Sequence, residues 1–118
     1  MKPTEKVKIQ VYCPKSHADE VRLAIGDAGG GIIGNYTYCA FISQGKGYFL
    51  PQTGADPYLG EIGRIEEVEE VKIEFVCEKN KVKEVVKAIE KAHPYEEIPM
   101  DIFPLCNLDE FKLNEQDS

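Results

Sequence analysis

The fold is decided by residues 71–92, VKIEFVCEKNKVKEVVKAIEKA, in which a strand pattern passes directly into a helix pattern. In the first part, apolar side chains alternate with mostly charged ones, which is the period of a half-buried strand. In the second part, the spacing typical of one helix face is kept by Val82, Val85, Val86, Ile89 and Ala92. The stretch therefore predicts a strand followed by an amphipathic helix.

The same order occurs near the N-terminus and gives the chain a second strand–helix pair. Residues 7–13 alternate in the same way, and residues 16–28 have apolar side chains at helical spacing before a run of glycines. Residues 35–44 are predicted as a further strand, because they are rich in aromatic and branched residues, and residues 98–105 as a last strand whose two prolines place it at a sheet edge or limit its length. The order strand, helix, strand, strand, helix, strand is that of ferredoxin-like folds.

We therefore predict an α+β protein with a ferredoxin-like βαββαβ sandwich, in which an antiparallel sheet has both helices on one face. The length of 118 residues favours a single domain, 1–118. Its core is expected at about 6–106, and the polar residues 107–118 are expected to form a mobile tail.

Charge and composition exclude several classes of function. The net charge is −7, so the chain lacks the positive field that attracts nucleic acids or anionic lipid. No apolar run approaches the roughly 20 residues of a membrane-spanning helix, and no signal-peptide core is visible. The four cysteines contain no CxxC pair, which argues against a zinc ribbon or thioredoxin-type site. We expect a cytoplasmic protein with neither nucleic-acid nor membrane partners.

The sheet face opposite the helices needs solvent or another chain to cover it. Apolar or aromatic side chains are predicted on that face at Tyr12, Tyr36, Tyr38 and Val76. A second copy of the chain is the simplest cover. The sequence therefore predicts self-association.

Two longer stretches go beyond a generic fold. Residues 45–63 read GKGYFLPQTGADPYLGEIG, and residues 92–105 read AHPYEEIPMDIFPL. Together with Gly34, Asn35 and Tyr36, they resemble the domain inserted in bacterial members of the NGG-interacting factor (Nif-three-like) family. The HPYEE segment also resembles its counterpart in CutA-type proteins. The resemblance covers about 7–105 and implies a PII- or CutA-like ferredoxin fold that forms homotrimers.

The resemblance also bears on activity. Full-length members of that family resemble two-metal hydrolases, whose metal ligands, including a His-x-His pair, lie in the halves that flank the inserted domain. The present sequence has two histidines, His17 and His93, and no His-x-His. The resemblance therefore carries over no catalytic residue. We expect a free-standing version of the inserted domain without enzymatic activity and without a resident cofactor.

A divalent metal ion is the alternative that the HPYEE region leaves open. Imidazole and carboxylate groups bind such ions, which makes His93, Glu96 and Asp101 candidate ligands. The structural alternative is that His93 ends a helix and is hydrogen-bonded locally. In an oligomer, the neighbouring chain could add ligands.

The glycine-rich loop 45–63 is the second candidate site. In PII-like trimers, ligands lie in clefts between subunits, next to a loop in this place. The positive charges near it are Lys46 and Arg64, which could hold one anionic group, and Tyr48 and Tyr95 are further candidates for a ligand or interface contact. Alternatively, the loop only braces the oligomer. The acidic run 66–70 is interpreted as a solvated strand edge.

The sequence thus favours an oligomeric binding or regulatory module with a small-molecule or protein partner. Two alternatives remain: a metal-tolerance protein of the CutA kind, and a metal-dependent hydrolase by family association.

Overall fold

The computed structural model describes residues 5–112 and has the predicted order of strands and helices. The strands are β1 (Lys6–Pro14), β2 (Phe41–Phe49), β3 (Glu66–Glu78) and β4 (Met100–Pro104), and the helices are α1 (Ala18–Asp27) and α2 (Val82–Ala92). A short 3₁₀ turn precedes each helix, at Lys15–His17 and at Lys79–Lys81. All pairings in the sheet are antiparallel, in the order β2-β3-β1-β4. The ferredoxin-like fold is confirmed.

The core lies between the two central strands and the two helices. Alternate residues of β1 and β3 are buried from Val7 to Cys13 and from Val71 to Cys77. The helices contribute Val21 and Ile25 from α1 and Val85 and Ile89 from α2. This is the packing that the period of two in the strands and the helical spacing of apolar residues predict.

The predicted strand 35–44 is wrong in its position, because β2 is Phe41–Phe49. Residues 31–40 instead form an irregular segment that is tied to its neighbours. The N–H of Gly31 donates to the carbonyl of Val76 at 2.8 Å. Tyr38 has a φ of 58°, and its hydroxyl donates to Asp27 of α1 at 2.5 Å. Aromatic residues predicted a strand here, but local turns and contacts with α1 take the segment out of the sheet.

The open face of the sheet carries partly different aromatic residues from those predicted, since Phe41 pairs with Glu74 and Phe103 with Lys8 on that face. Tyr36 and Tyr38 are not in a strand, whereas Tyr12 and Val76 lie half-buried on the face opposite the helices. Polar pairs share that face: the Gln10 amide donates to Glu74 at 3.0 Å, and Lys72 lies 4.0 Å from the same carboxylate.

The shift of β2 also shortens the predicted loop 45–63. Residues 45–49 belong to β2, so the connection between β2 and β3 covers residues 50–65. The acidic run 66–70 lies within β3 and pairs with residues 45–49 of β2. A long two-stranded hairpin therefore leads to this loop.

The end of the described chain contains a 3₁₀ turn, Leu108–Phe111. The predicted tail 107–118 begins in this region, and its residues 113–118 lie outside those that the structure describes. Among residues 5–112, no helix is long and apolar enough to cross a membrane.

Candidate ligand-binding site

The segment 93–99 connects α2 to β4 and is fixed at both ends. The N–H of His93 donates to the carbonyl of Ile89, which closes the last turn of α2. Pro94 follows and has no N–H to continue the helix, so the helix ends there. At the other end, the carbonyl of Pro99 accepts a hydrogen bond from the N–H of Tyr12 at 3.0 Å. The intervening residues are thereby held against the end of β1.

His93 anchors this segment from inside. Its side chain is buried, with 7% exposed, and its Nε2 lies 2.6 Å from the carbonyl oxygen of Tyr12. Its Nδ1 lies 3.1 Å from the N–H of Tyr95 and must accept from it. The Nε2 therefore carries the proton, and the imidazole is neutral. Burial lowers the pKa of His93, against the opposing effects of the Tyr12 carbonyl and the Glu70 charge.

Tyr95 links this segment to the hairpin. Its hydroxyl donates to the Glu70 carboxylate of β3 at 2.7 Å. Burial, and then this carboxylate, raise the pKa of the Tyr95 phenol. Gly47 of β2 leaves room for the arrangement, since a side chain there would overlap the carboxyl group of Glu70. The hydrogen bond thus depends on three distant parts of the chain.

We expect the substitution Tyr95→Phe to lower the free energy of unfolding by about 1–2 kcal/mol, because a hydrogen bond to a half-buried carboxylate is lost. Urea denaturation at neutral pH measures this change. Tyr48→Phe is the matched control, since its hydroxyl also donates to a glutamate, Glu67, but at an exposed position. Equal effects of the two substitutions would contradict a special role of the Tyr95 hydrogen bond.

The loop 50–65 is held closely to the segment 93–99. The Glu96 carboxylate accepts the N–H of Asp56 with both oxygens, at 3.0 and 3.2 Å. Within the loop, the N–H of Gly63 donates to the carbonyl of Pro51 at 2.8 Å, and Pro51 is buried. The loop and the HPYEE segment therefore meet within one chain, whereas the sequence analysis placed ligands in a cleft between subunits.

A cavity of about 330 Å³ lies between these two segments and the base of the hairpin. Its walls are mainly apolar and aromatic, and its polar side chains are mostly carboxylates. The lining residues from the hairpin and loop include Tyr48, Phe49, Leu50, Pro51, Ala55, Pro57, Tyr58 and Leu59, and Glu70, Tyr95, Glu96, Glu97 and Pro99 complete most of the wall. This is the composition of a small-molecule site.

Aromatic rings form much of one wall. The ring centroid of Tyr95 lies 6.0 Å from Phe49 and 6.3 Å from Tyr58, with tilted planes. His93 lies 5.0 Å from Tyr95 on the buried side. His17 packs edge-on against Tyr58 at 5.7 Å. The rings are therefore supported from behind by both histidines.

The predicted anion site at Lys46 and Arg64 is not formed within the described chain. Lys46 lies 3.5 Å from Glu67, and Arg64 lies 3.6 Å from Glu61. Neither lines the cavity, whereas the candidates Tyr48 and Tyr95 both do. The strand pairing explains this result, because it places Lys46 beside the acidic residues of β3.

The three candidate metal ligands are not brought together. His93 uses both ring nitrogens within the chain, Glu96 holds the backbone of Asp56, and Asp101 is exposed in β4 opposite Gln10. Across residues 5–112, no group of three or more histidine, cysteine, aspartate or glutamate side chains could hold a metal ion.

Sequence reasoning did not single out most side chains of the cavity wall, among them Phe49, Tyr58 and Glu70. Glu70 was interpreted as part of a solvated acidic edge, but its carboxylate faces Tyr95. The available signal was the aromatic residues at 48, 49 and 58, which lie beside or within a segment rich in glycine and proline.

Comparison with known proteins supplies relatives of this sequence and fold. No family model matches the chain. The GTP cyclohydrolase 1 type 2 homolog of Bacillus subtilis is 49% identical over 98 residues, which cover 83% of this chain and 26% of that protein. The crystal structure of a Bacillus cereus protein related to NIF3 matches with a TM-score of 0.79 and 46% identity, over 91% of this chain and 27% of the other.

The chain is homologous to one domain of the NIF3-related proteins, and its fold is PII/CutA-like. This confirms the resemblance drawn from residues 45–63 and 92–105. The NIF3-related domain spans about a quarter of the length of the relatives it matches. The CutA of Archaeoglobus fulgidus, described as a periplasmic divalent cation tolerance protein, has a TM-score of 0.62 at 18% identity and 90% coverage of both chains. That likeness concerns the fold alone.

Proposed function

We propose that this domain is a non-enzymatic, self-associating binding module whose cavity takes a small molecule. The observation that carries the proposal is the preformed cavity of about 330 Å³ between the loop 50–65 and the segment 93–99. Its size lies within the range of roughly 300–1,000 Å³ that is usual for small-molecule sites. The hydrogen bonds of Glu96 and Tyr95 hold its walls in place before any ligand arrives.

The chemistry of the wall supports binding rather than catalysis. In the described part of the chain, the cavity is lined by no histidine, cysteine, serine, threonine or lysine. Many of the nucleophiles that enzymes activate with a neighbouring base are side chains of these types. The buried imidazole of His93 lies nearby, but both of its nitrogens are hydrogen-bonded to backbone groups, and it is neutral. We therefore propose that the domain binds its ligand without converting it.

Self-association, as a homotrimer, is supported by the surface of the hairpin. Large apolar side chains remain exposed there, among them Phe41 at 67%, Tyr48 at 63% and Ile65 at 71%. Because they lie on both faces of the hairpin and at its end, a second copy of the chain could cover them. Tyr48 also lines the cavity, so a ligand that contacts this side chain would change the surface that a neighbouring subunit meets. We propose that ligand binding regulates contacts made by the hairpin.

The substitution Ala55→Trp tests the binding role, since Ala55 lines the cavity and a large ring there would fill it. We expect native mass spectrometry of the full chain, purified without chelator, to show trimers with added mass. The Ala55→Trp variant should form the same trimers and lose at least nine-tenths of the bound ligand.

Ala40→Trp is the matched control, because Ala40 is exposed before β2 and does not line the cavity. It should keep the ligand. A wild-type protein that carries no added mass, even after incubation with a metabolite extract, would contradict the binding role. A monomer would contradict self-association.

A further inference from the structure

We infer that the cavity is built for an organic cation, that is, a small molecule with an ammonium or guanidinium group on an apolar or flat body. This inference rests on the proposed function and names the ligand class of the same site. It follows from the charges and the rings that line the cavity.

All charged side chains of the cavity lining are negative. Three carboxylates contribute to it: Glu70, Glu96 and Glu97. No lysine or arginine lines it in the part of the chain that the structure describes. The two basic residues near the loop, Lys46 and Arg64, are paired with other glutamates. A concave surface with charges of one sign concentrates ligands of the opposite sign and repels phosphates and carboxylates.

The carboxylates keep acceptor capacity for a ligand. Glu70 accepts one hydrogen bond from Tyr95, and Glu96 accepts one backbone N–H. Glu97 is exposed and makes no side-chain hydrogen bond or ion pair within residues 5–112. Because an ionised carboxylate offers about four acceptor positions, each of the three can take a further N–H donor.

The aromatic wall favours a cation of organic rather than inorganic character. Tyr58, Tyr95 and Phe49 all line the cavity, and their rings are tilted by 50–59° rather than stacked face on face. Cations bind over such faces by the cation–π interaction. A hydrated metal ion gains little from an apolar wall, and the described residues offer it no group of three ligands. An organic cation uses both the rings and the carboxylates.

Three small probes of similar shape test the inference: 2-phenylethylammonium, the neutral 2-phenylethanol and the anion 3-phenylpropionate. Binding to the full chain is followed by the NMR shifts of the Ala55 and Tyr95 amides. We expect the ammonium to bind at least tenfold more tightly than the alcohol, which corresponds to about 1.4 kcal/mol. The anion should not bind measurably at the same concentrations.

Variants separate charge from rings. Glu97→Gln should weaken binding of the ammonium several-fold and leave binding of the alcohol unchanged. Glu90→Gln makes an equal change of charge on the exposed side of α2 and should change the binding of neither probe. Tyr58→Leu keeps an apolar side chain and should weaken the ammonium more than the alcohol.

The outcomes distinguish the inference from the proposed function. If the alcohol or the anion binds as tightly as the ammonium, the cation inference is overturned and the binding role stands. If no probe shifts the amide signal of Ala55 or Tyr95, the cation inference is overturned. If, in addition, the Ala55→Trp variant retains the ligand that the wild-type protein carries, the proposed binding role of the cavity is overturned as well.

Discussion

Replacing His93 by alanine is expected to lower the free energy of unfolding by about 3 kcal/mol, a large share of the stability of a small domain. The side chain is buried and bridges two backbone groups, the carbonyl of Tyr12 and the N–H of Tyr95. Each partner that stays buried without a hydrogen bond costs about 1–3 kcal/mol. Urea denaturation at pH 7.5 measures the loss.

His17→Ala is the control, because within residues 5–112 the side chain of this second histidine is hydrogen-bonded only to the neighbouring Ser16, apart from its edge contact with the Tyr58 ring. Its loss should be much smaller. If His93→Ala unfolds at the same urea concentration as the wild type, the bridge between β1 and the segment 93–99 has no stabilising role. If His93→Ala is too unstable to purify, the milder variant His93→Gln replaces it. Hydrogen exchange of its Tyr95 amide, measured at low temperature, should then be faster than in the wild type.

The same histidine predicts how stability depends on pH. Burial lowers the pKa of His93 below the value of 6.5 usual for the unfolded chain. Below pH 6.5, the unfolded chain therefore binds a proton that the folded chain excludes, and stability falls as the pH falls toward the lowered pKa. The slope from this one group is at most about 1.4 kcal/mol per pH unit. The difference between wild type and His93→Ala should shrink over that window, and a constant difference would contradict the neutral imidazole.

Much of the fold follows from local periodicity. The alternation in residues 71–77 and the apolar spacing in residues 82–92 depend only on neighbours in the chain, and both elements were predicted close to where they form. The second strand failed because its aromatic residues serve other contacts. Tyr38 bonds to α1 in a left-handed backbone conformation, and a residue-type preference for strands contains no information about such a contact.

The candidate site was predictable only in part. The HPYEE motif located Tyr95, and the glycine-rich composition of residues 45–63 located the loop on the other side of the cavity. Both features are visible in the sequence itself. The partner of Tyr95 is Glu70, 25 residues earlier, which looked like any other residue of an acidic strand. Lys46 and Arg64 were candidates to hold an anion, but neither lines the cavity. Lys46 was near the loop in sequence, but strand pairing directs it to Glu67.

These two errors have a common physical origin. Which residues of a hairpin meet is set by register, and register is set by the whole sheet. In the observed register, which differs by a few residues from the predicted one, Gly47 lies beside the Glu70 side chain. The absence of a side chain at Gly47 leaves the space in which Tyr95 reaches that carboxylate. The acidic character of the cavity is therefore a property of the pairing between β2 and β3, and composition of the loop alone does not reveal it.

The substitution Gly31→Ala is expected to lower the free energy of unfolding by about 3 kcal/mol, because two costs act at one position. Gly31 has a φ of 75°, which costs a residue with a Cβ about 1–2 kcal/mol. A Cβ there would also overlap the backbone of Cys39, which cannot rotate away as a side chain could. Overpacking of this kind costs about 1–3 kcal/mol more.

Gly34→Ala separates the two costs at Gly31. Gly34 also has a positive φ, of 55°, but a Cβ there would meet nothing within 4 Å. We therefore expect only the conformational cost, about 1 kcal/mol. The hydrogen bonds of Gly31 to Val76 and Cys39 join the irregular segment 31–40 to β3, so Gly31→Ala should also speed hydrogen exchange of the Cys39 amide. Equal losses for Gly31→Ala and Gly34→Ala in urea denaturation would show that this segment moves aside freely, and the position of β2 would then not depend on it.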